Sequence, residues 1–279
     1  MVEVFAPAKV NLTLHVTGRR EDGYHLLDSL VMFADIGDRI VARPATETTL
    51  EVNGPLAGGV PVDDDNLVMR AAAMMGATGA LTLDKCLPHA AGLGGGSSDA
   101  AATFRALSML TDRPIPDTSD ALRLGADVPV CLAGVTARMR GVGEDVTPLP
   151  DMPQLHGVLV NPRIPVLTNT VFANLERADN APMPDEIPLG LDASAMIDWL
   201  STMRNDLQDA AIAAEPVVQE VFSALEVTPG CLLTRMSGSG GTCFGLYADR
   251  ETAQSAAGRL TETHPTWWSH AVVLGNATG

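Results

Sequence analysis

Residues Gly92-Leu93-Gly94-Gly95-Gly96 place four glycines in five positions, directly ahead of Ser97-Ser98-Asp99-Ala100-Ala101-Ala102. Glycine loses more backbone freedom on folding than any other residue, so this density argues for a loop whose dihedrals or clearance only glycine permits. Ala100, Phe104, Leu107 and Leu110 then recur at helical spacing. The loop is therefore expected to open onto a helix N-terminus, with the hydroxyl and acid residues suited to capping it. Such a junction attracts anions, because the first turn leaves N–H groups unpaired and carries roughly half a positive charge. Ser97 stands where a dinucleotide fingerprint has its third glycine, and the Gly-Lys-Ser/Thr ending of a P-loop is missing. A different phosphate-binding loop is implied, with a tight strand-to-helix turn or a linker as the non-binding alternative.

The 279 residues suffice for two domains, and Pro148-Leu149-Pro150-Asp151-Met152-Pro153 is the expected boundary, giving 1–150 and 151–279. Upstream, Val2 to Val16 reads as strand broken at Ala6-Pro7-Ala8, with Lys9 and Asn11 on one face of the period-two alternation. Strands are expected at Leu26 to Phe33 and Arg39 to Arg43, a helix capped by Asp63-Asp64-Asp65-Asn66 from Leu67 to Met75, and a strand from Ala80 to Lys85 feeding the glycine loop. A short helix covers Ser119 to Leu124, and Pro129 is expected to hold Val128 extended and leave Asp127 on a turn. Val130 to Leu132 and Thr136 to Met139 suggest a strand pair.

Downstream, strands are expected at Val158 to Val160, Leu232 to Met236, Thr242 to Tyr247 and His270 to Leu274. Helices are expected at Thr168 to Arg177, Ala193 to Thr202, Val217 to Leu225 and Glu251 to Leu260, with a proline-rich loop from Asn180 to Pro188. The class is α+β.

Thirty-four acidic against eighteen basic residues give a net charge of −16, which argues against nucleic acid and acidic membrane surfaces as partners. A phosphate ligand must then be held by local donors. The four cysteines are scattered without CxxC spacing, so no zinc site or disulfide framework is signalled and a reduced cytoplasm is expected. No leader pattern and no apolar run of about 18 residues is present.

Three segments share a nucleotide-site character: Ala6-Pro7-Ala8-Lys9-Val10-Asn11, the glycine loop, and Met236-Ser237-Gly238-Ser239-Gly240-Gly241. In this order and spacing they resemble the three motifs of the GHMP small-molecule kinases, over nearly the whole chain. Thr17-Gly18-Arg19-Arg20-Glu21-Asp22-Gly23-Tyr24-His25, Asp65-Asn66-Leu67, Leu124-Gly125-Ala126-Asp127-Val128-Pro129 and Gly141-Val142-Gly143-Glu144 narrow the resemblance. They are similar to the branch of that family acting on 4-diphosphocytidyl-2-C-methyl-D-erythritol.

The resemblance implies a ribosomal-protein-S5-domain-2-like N-terminal domain, a ferredoxin-like C-terminal domain, and ATP-dependent phosphorylation of the substrate's 2-hydroxyl. It implies Asp127 as the base and Lys9 as its partner, Asn11 hydrogen-bonding substrate, Tyr24 stacked on cytosine and His25 on the edge of that ring. Asn66, Leu67 and Lys85 match positions near adenosine. Gly92, Leu93, Gly94, Gly95, Gly96, Ser97 and Ser98 surround the ATP phosphates, and Gly238, Ser239 and Gly240 form the third loop. Asp99 either faces away or helps hold magnesium, whose ligands are otherwise unassigned. The expected ligands are ATP with Mg2+ and the small substrate, bound by a monomer or weak homodimer. Competing readings are a GHMP kinase for another alcohol, of homoserine or mevalonate type, and a non-catalytic nucleotide-binding regulator. Tyr24-His25 and Asp127 speak against the first, and retention of Lys9 and Asp127 against the second.

Overall fold

The computed structural model describes residues 1–277. In chain order the elements are strands β1 (Val2–Asn11), β2 (His15–Arg19), β3 (His25–Arg43) and β4 (Thr49–Asn53), helix α1 (Leu67–Met75), strand β5 (Ala80–Asp84), and helices α2 (Gly95–Thr111), α3 (Thr118–Leu122) and α4 (Val128–Ala133). There follow β6 (Ala137–Gly141), β7 (Asp145–Pro148), β8 (Leu155–Asn161), α5 (Thr168–Ala173), α6 (Ala193–Ser201), α7 (Gln208–Ala214), α8 (Val217–Glu226), β9 (Leu233–Met236), β10 (Cys243–Tyr247), α9 (Arg250–Thr263) and β11 (Trp268–Gly275).

The sheet is built along β3, a single strand of 19 residues where two were expected. Gly37 does not end it. A Cβ there would lie 2.2 Å from the Ala6 carbonyl oxygen, so glycine serves a close crossing with β1. Pro7 likewise does not break β1, because it abuts a register shift between Pro7 and Lys9, a bulge where a missing N–H is tolerated. One edge of β3 takes β2 and then β1; the other takes β6, β11 and β5 in succession. Through β11 the sheet continues to β8, β10 and β9.

Helix α1 has the expected bounds. Asn66 accepts the Val68 N–H at its start, Gly76 closes it in the left-handed region, and Val68, Ala71, Ala72 and Met75 form its buried stripe. Helix α2 starts earlier than its apolar spacing implies, at Gly95 with Gly94 as a left-handed N-cap, so Ser97, Ser98 and Asp99 lie in its opening turns rather than capping it. Ala100 and Ala102 pack it against Ala6 and Ile40 of the sheet.

Two expectations are corrected around Asp127. Val128 is not extended: Asp127 is the N-cap of α4 and Pro129 sits in its first turn, where the absent N–H would have no intrahelical partner. Val130 to Leu132 belongs to that helix, and β6 pairs instead with β3 and β7. The helix expected to reach Arg177 stops at Ala173, the strand expected over Val2 to Val16 ends at Asn11 and resumes at His15 as β2, and α7, β4 and β7 were not anticipated.

Apolar residues from both halves interleave, with Val10, Leu12 and Met32 in one buried cluster with Leu159, Phe244 and Trp268. Polar ties reinforce this contact. The buried Arg235 guanidinium donates to Leu12 O, Leu200 O and Met203 O, each at 2.8 Å; burial lowers its pKa to about 10. Leu14 pairs with Asn205, and Asp206 accepts the Val16 N–H at 2.7 Å. Buried Arg138 grips Asp28 through two bonds of 2.7 and 2.8 Å and also holds the carbonyls of Met183, Pro184 and Asp185. Among the described residues no helix is long and apolar enough to cross a membrane.

Candidate active site

A cleft of about 450 Å³ runs between the glycine loop and the third loop. Lys9 enters it just past the β1 bulge, only 2% exposed, with its backbone N–H donating to Leu93 O at 2.9 Å. Its ammonium lies 2.9 Å from Asp127 Oδ2 and donates to Asn11 Oδ1 at 2.7 Å. The Asn11 amide donates in turn to Ser29 Oγ at 2.7 Å. Residues 9 and 11 therefore share a face as strand alternation requires, but both polar atoms of the Asn11 side chain are engaged within the protein. Asp127 is the open member of the pair, its side chain 30% exposed against 3% for Lys9. A carboxylate facing a cleft beside a buried cation has the geometry to accept a proton and to stabilise nearby negative charge.

The glycines have distinct duties. Gly92 has φ +71° and a Cβ there would sit 2.3 Å from Ser237 O, while one at Gly94 would sit 2.9 Å from Lys9 Cε. The first intrahelical bond of α2 is Ser98 N–H to Gly94 O, at 2.8 Å, so the N–H groups of Gly95, Gly96 and Ser97 lack helical acceptors. Ser97 lines the cleft together with Gly92, Gly94, Gly95 and Gly96. Leu93 and Ser98, expected beside them, are each 1% exposed and turn inward.

Beneath this turn lies a buried charge triad that was not legible in the sequence. Lys85 Nζ donates to Asp38 Oδ2 and, at 2.9 Å, to Asp99 Oδ2. Asp38 Oδ1 accepts the Cys86 and Leu87 N–H groups. Asp99 Oδ1 has no partner, and burial pushes that carboxyl up to about 7 against the pull of Lys85. Burial acts to lower the Lys85 pKa, yet Asp99 and Asp38 outweigh it and hold the ammonium above its ordinary value. Lys85 thus reaches the cleft wall with its ammonium already engaged, and Asp99 faces Lys85. Asn66 also lines the cleft, but its amide caps α1 and donates to Pro61 O at 2.7 Å; Leu67 presents apolar surface beside Gly96.

At the other end, Tyr24 is 64% exposed on a turn closed by Arg20 N–H to Tyr24 O, beyond the cleft lining. The His25 ring stacks on Phe172 of α5, with centroids 4.6 Å apart and planes at 21°. Burial, helped by Arg19, lowers the His25 pKa, keeping the ring neutral near pH 7. Phe172 lines the cleft and was missed. The available signal was a phenylalanine on a short helix beside a proline-rich loop, which does not distinguish a binding aromatic from a core one.

The third loop packs on the first two segments. A Cβ at Gly238 would meet Gly92 O at 2.9 Å and Asn11 Oδ1 at 3.4 Å, and Gly240 is confined by Met236 Sδ at 3.0 Å. Ser239 Oγ and Thr168 Oγ1 share a hydrogen bond of 2.7 Å at the rim. Ser237, fully buried, donates to Gly92 O and accepts the Asn11 N–H.

Residues 66–145 match the family model described as GHMP kinases N terminal domain, and residues 191–266 match GHMP kinases C terminal. The chain is 55% identical over 270 residues to 4-diphosphocytidyl-2-C-methyl-D-erythritol kinase of Cereibacter sphaeroides, covering 96% of this chain and 97% of the relative. It is 53% identical to the protein of that name from Dinoroseobacter shibae, covering 97% and 94%. A crystal structure of 4-(cytidine 5'-diphospho)-2C-methyl-D-erythritol kinase superposes with a TM-score of 0.80 at 35% identity, covering 99% of this chain and 100% of the other. Homoserine kinase from Cytophaga hutchinsonii, at 20% identity and a TM-score of 0.63 over 100% and 96% of the two chains, shares the fold.

Proposed function

The chain belongs to the GHMP kinase family, and from that premise we propose that its cleft moves the γ-phosphoryl group of ATP to the 2-hydroxyl of 4-diphosphocytidyl-2-C-methyl-D-erythritol. The products are the 2-phosphate and ADP, in the non-mevalonate route to isoprenoid precursors. The protein is a small-molecule kinase with the two-domain α+β fold of that family, and its relatives at 50% identity and above carry this kinase's name. The observation that carries the chemistry is the Lys9–Asp127 pair, 2.9 Å apart, set against the Gly94–Ser97 turn.

Phosphoryl transfer asks a protein mainly for positioning and charge stabilisation. Asp127 accepts the proton of the attacking hydroxyl at its open carboxylate, and Lys9, 2.9 Å away, offsets charge on the transferred group. Asn11 acts through Lys9, fixing the ammonium by the 2.7 Å bond. The free N–H groups of Gly95, Gly96 and Ser97 receive ATP phosphate oxygens. Leu67, with Asn66 and Lys85 also on the cleft lining, borders the adenosine. Tyr24 and Phe172 offer stacking faces for cytosine, and the neutral His25 ring offers it one donor and one acceptor.

Among the described residues no three His, Cys, Asp or Glu side chains are placed to hold a metal. The Ser97 hydroxyl, a hard oxygen donor on the cleft wall, fits Mg2+ carried by ATP, because this ion keeps several waters and takes few protein ligands beside phosphates. Ser97 would supply the protein oxygen to that ion, whose chemistry when bound would be to offset phosphate charge.

We further read the chain as cytoplasmic, a monomer or weak homodimer, and divided near residue 150. Mass-spectrometric detection of the phosphorylated product from the cytidylyl substrate, ATP and magnesium tests the reaction. Product from wild type and almost none from Asp127→Ala supports it; product from homoserine or mevalonate instead overturns the substrate, and ATP binding without turnover of any alcohol favours a regulator.

A further inference from the structure

We propose that Ser237 is a positioning residue for the transfer: its hydroxyl holds the phosphate-binding loop in register with the strand that carries Lys9 and Asn11. This rests on the kinase reading above. Ser237 Oγ donates to Gly92 O at 2.8 Å and accepts the Asn11 N–H at 3.1 Å, joining positions 145 and 226 residues away. One hydroxyl therefore joins the third loop to the glycine loop and to the Lys9–Asn11 segment. A hydroxyl both donates and accepts, whereas alanine does neither.

The hydroxyl is itself held. The Asn205 amide donates to the carbonyls on either side, Met236 O at 2.8 Å and Gly238 O at 2.9 Å, and the Ser237 N–H donates to Thr242 O at 3.0 Å. Steric contacts set only a lower limit on the gap between the loops, since a Cβ at Gly92 would meet Ser237 O at 2.3 Å and one at Gly238 would meet Gly92 O at 2.9 Å. Repulsion stops the loops approaching; the Ser237 bonds stop Gly92 and Asn11 separating. Slippage there carries Leu93, and with it the backbone bond to Lys9, away from the ammonium held by Asn11. Ser237 is absent from the cleft lining, so its effect passes through Gly92 and Asn11.

The test compares Ser237→Ala and the near-isosteric Ser237→Cys with Ser237→Thr, which keeps a hydroxyl. A misplacement of about 1 Å costs on the order of 10²-fold in rate, so kcat is expected to fall about 10- to 100-fold in the Ala and Cys variants. The KM for the cytidylyl substrate, set by Tyr24, His25 and Phe172, is expected to stay near wild type, and Thr to restore most of kcat. Hydrogen exchange at the Asn11 amide is expected to quicken in Ala and Cys and not in Thr. That arm needs no substrate, so an inactive wild type counts against the reaction while exchange still decides the role of Ser237. Unchanged kcat or Asn11 exchange in Ser237→Ala overturns the proposal, as does a Thr variant as impaired as Ala in both.

Discussion

Substituting Gly96 by alanine separates folding from phosphate binding. Gly96 is the second residue of α2, outside the positive-φ region, and a methyl there meets only Leu67 Cδ1 at 3.5 Å, an ordinary contact. Replacing glycine within a helix gains about 0.5–1 kcal/mol, which for a chain of this size raises Tm by roughly 1–3 °C. The same methyl stands on the cleft wall beside the unpaired N–H groups of Gly95, Gly96 and Ser97. Losing one charge-assisted hydrogen bond to phosphate costs about 1.5–3 kcal/mol, or roughly a 10- to 150-fold rise in the KM for ATP. Gly92→Ala is the contrasting variant. It adds left-handed strain of about 1–2 kcal/mol and, by forcing Ser237 O away, loses a hydrogen bond worth about 0.5–1.5 kcal/mol, so stability and activity fall together. Differential scanning fluorimetry with initial rates at varied ATP reads both. A stabilised Gly96→Ala enzyme whose KM for ATP stays within twofold of wild type would refute the placement of phosphate at this turn.

Asp127→Asn keeps shape and removes the base, so kcat should fall about 10²- to 10⁴-fold with both KM values little changed; steady-state kinetics retaining a tenth of wild-type kcat would exclude the role. Phe172→Ala should raise the KM for the cytidylyl substrate about 5- to 150-fold, the worth of one stacking face, and spare that for ATP. In the same variant an NMR titration should show the His25 pKa moving up as burial is relieved. Burial holds His15, His25 and His270 below the ordinary value, so the unfolded chain binds more protons as pH falls below about 6.5. Their contribution is present above that pH and is lost as pH falls toward the lowered values. Over pH 5.5 to 7.5 these histidines raise the urea midpoint while Asp99, its carboxyl pushed up to about 7, lowers it, so His15→Asn should make the slope of midpoint against pH less positive than in wild type; an unaltered slope would remove His15 from that account.

Local chemistry in the sequence was a good guide where partners lie nearby along the chain. Asn66 and the apolar spacing of α1 define that helix, and alternation alone puts Lys9 and Asn11 on one face. The gap expected between Phe33 and Arg39 and the break expected at Pro7 are both strand, because Gly37 serves a close crossing with β1 and Pro7 abuts a bulge. Val130 to Leu132 reads as strand from its β-branched and apolar residues, yet Asp127 and Pro129 open a helix there and tertiary packing decides. The Asp38–Lys85–Asp99 triad and the Ser237 bridge were out of reach for another reason. Their members lie 14, 47, 145 and 226 residues apart, and nothing in a run of residues reports which distant groups will meet.

The position of β11 between β3 and β8 has a consequence for how the molecule is made. Val273 donates to Asp35 across 238 residues of chain, and no route through the sheet from β3 to β8, β10 and β9 exists without it. During synthesis the early strands wait with that edge of β3 open until residues 268–275 have left the ribosome. The nascent chain therefore cannot finish its first half before beginning its second. A stop codon ahead of β11 removes a central strand rather than trimming an edge, and leaves unpaired strand edges of the kind that chaperones hold and proteases clear.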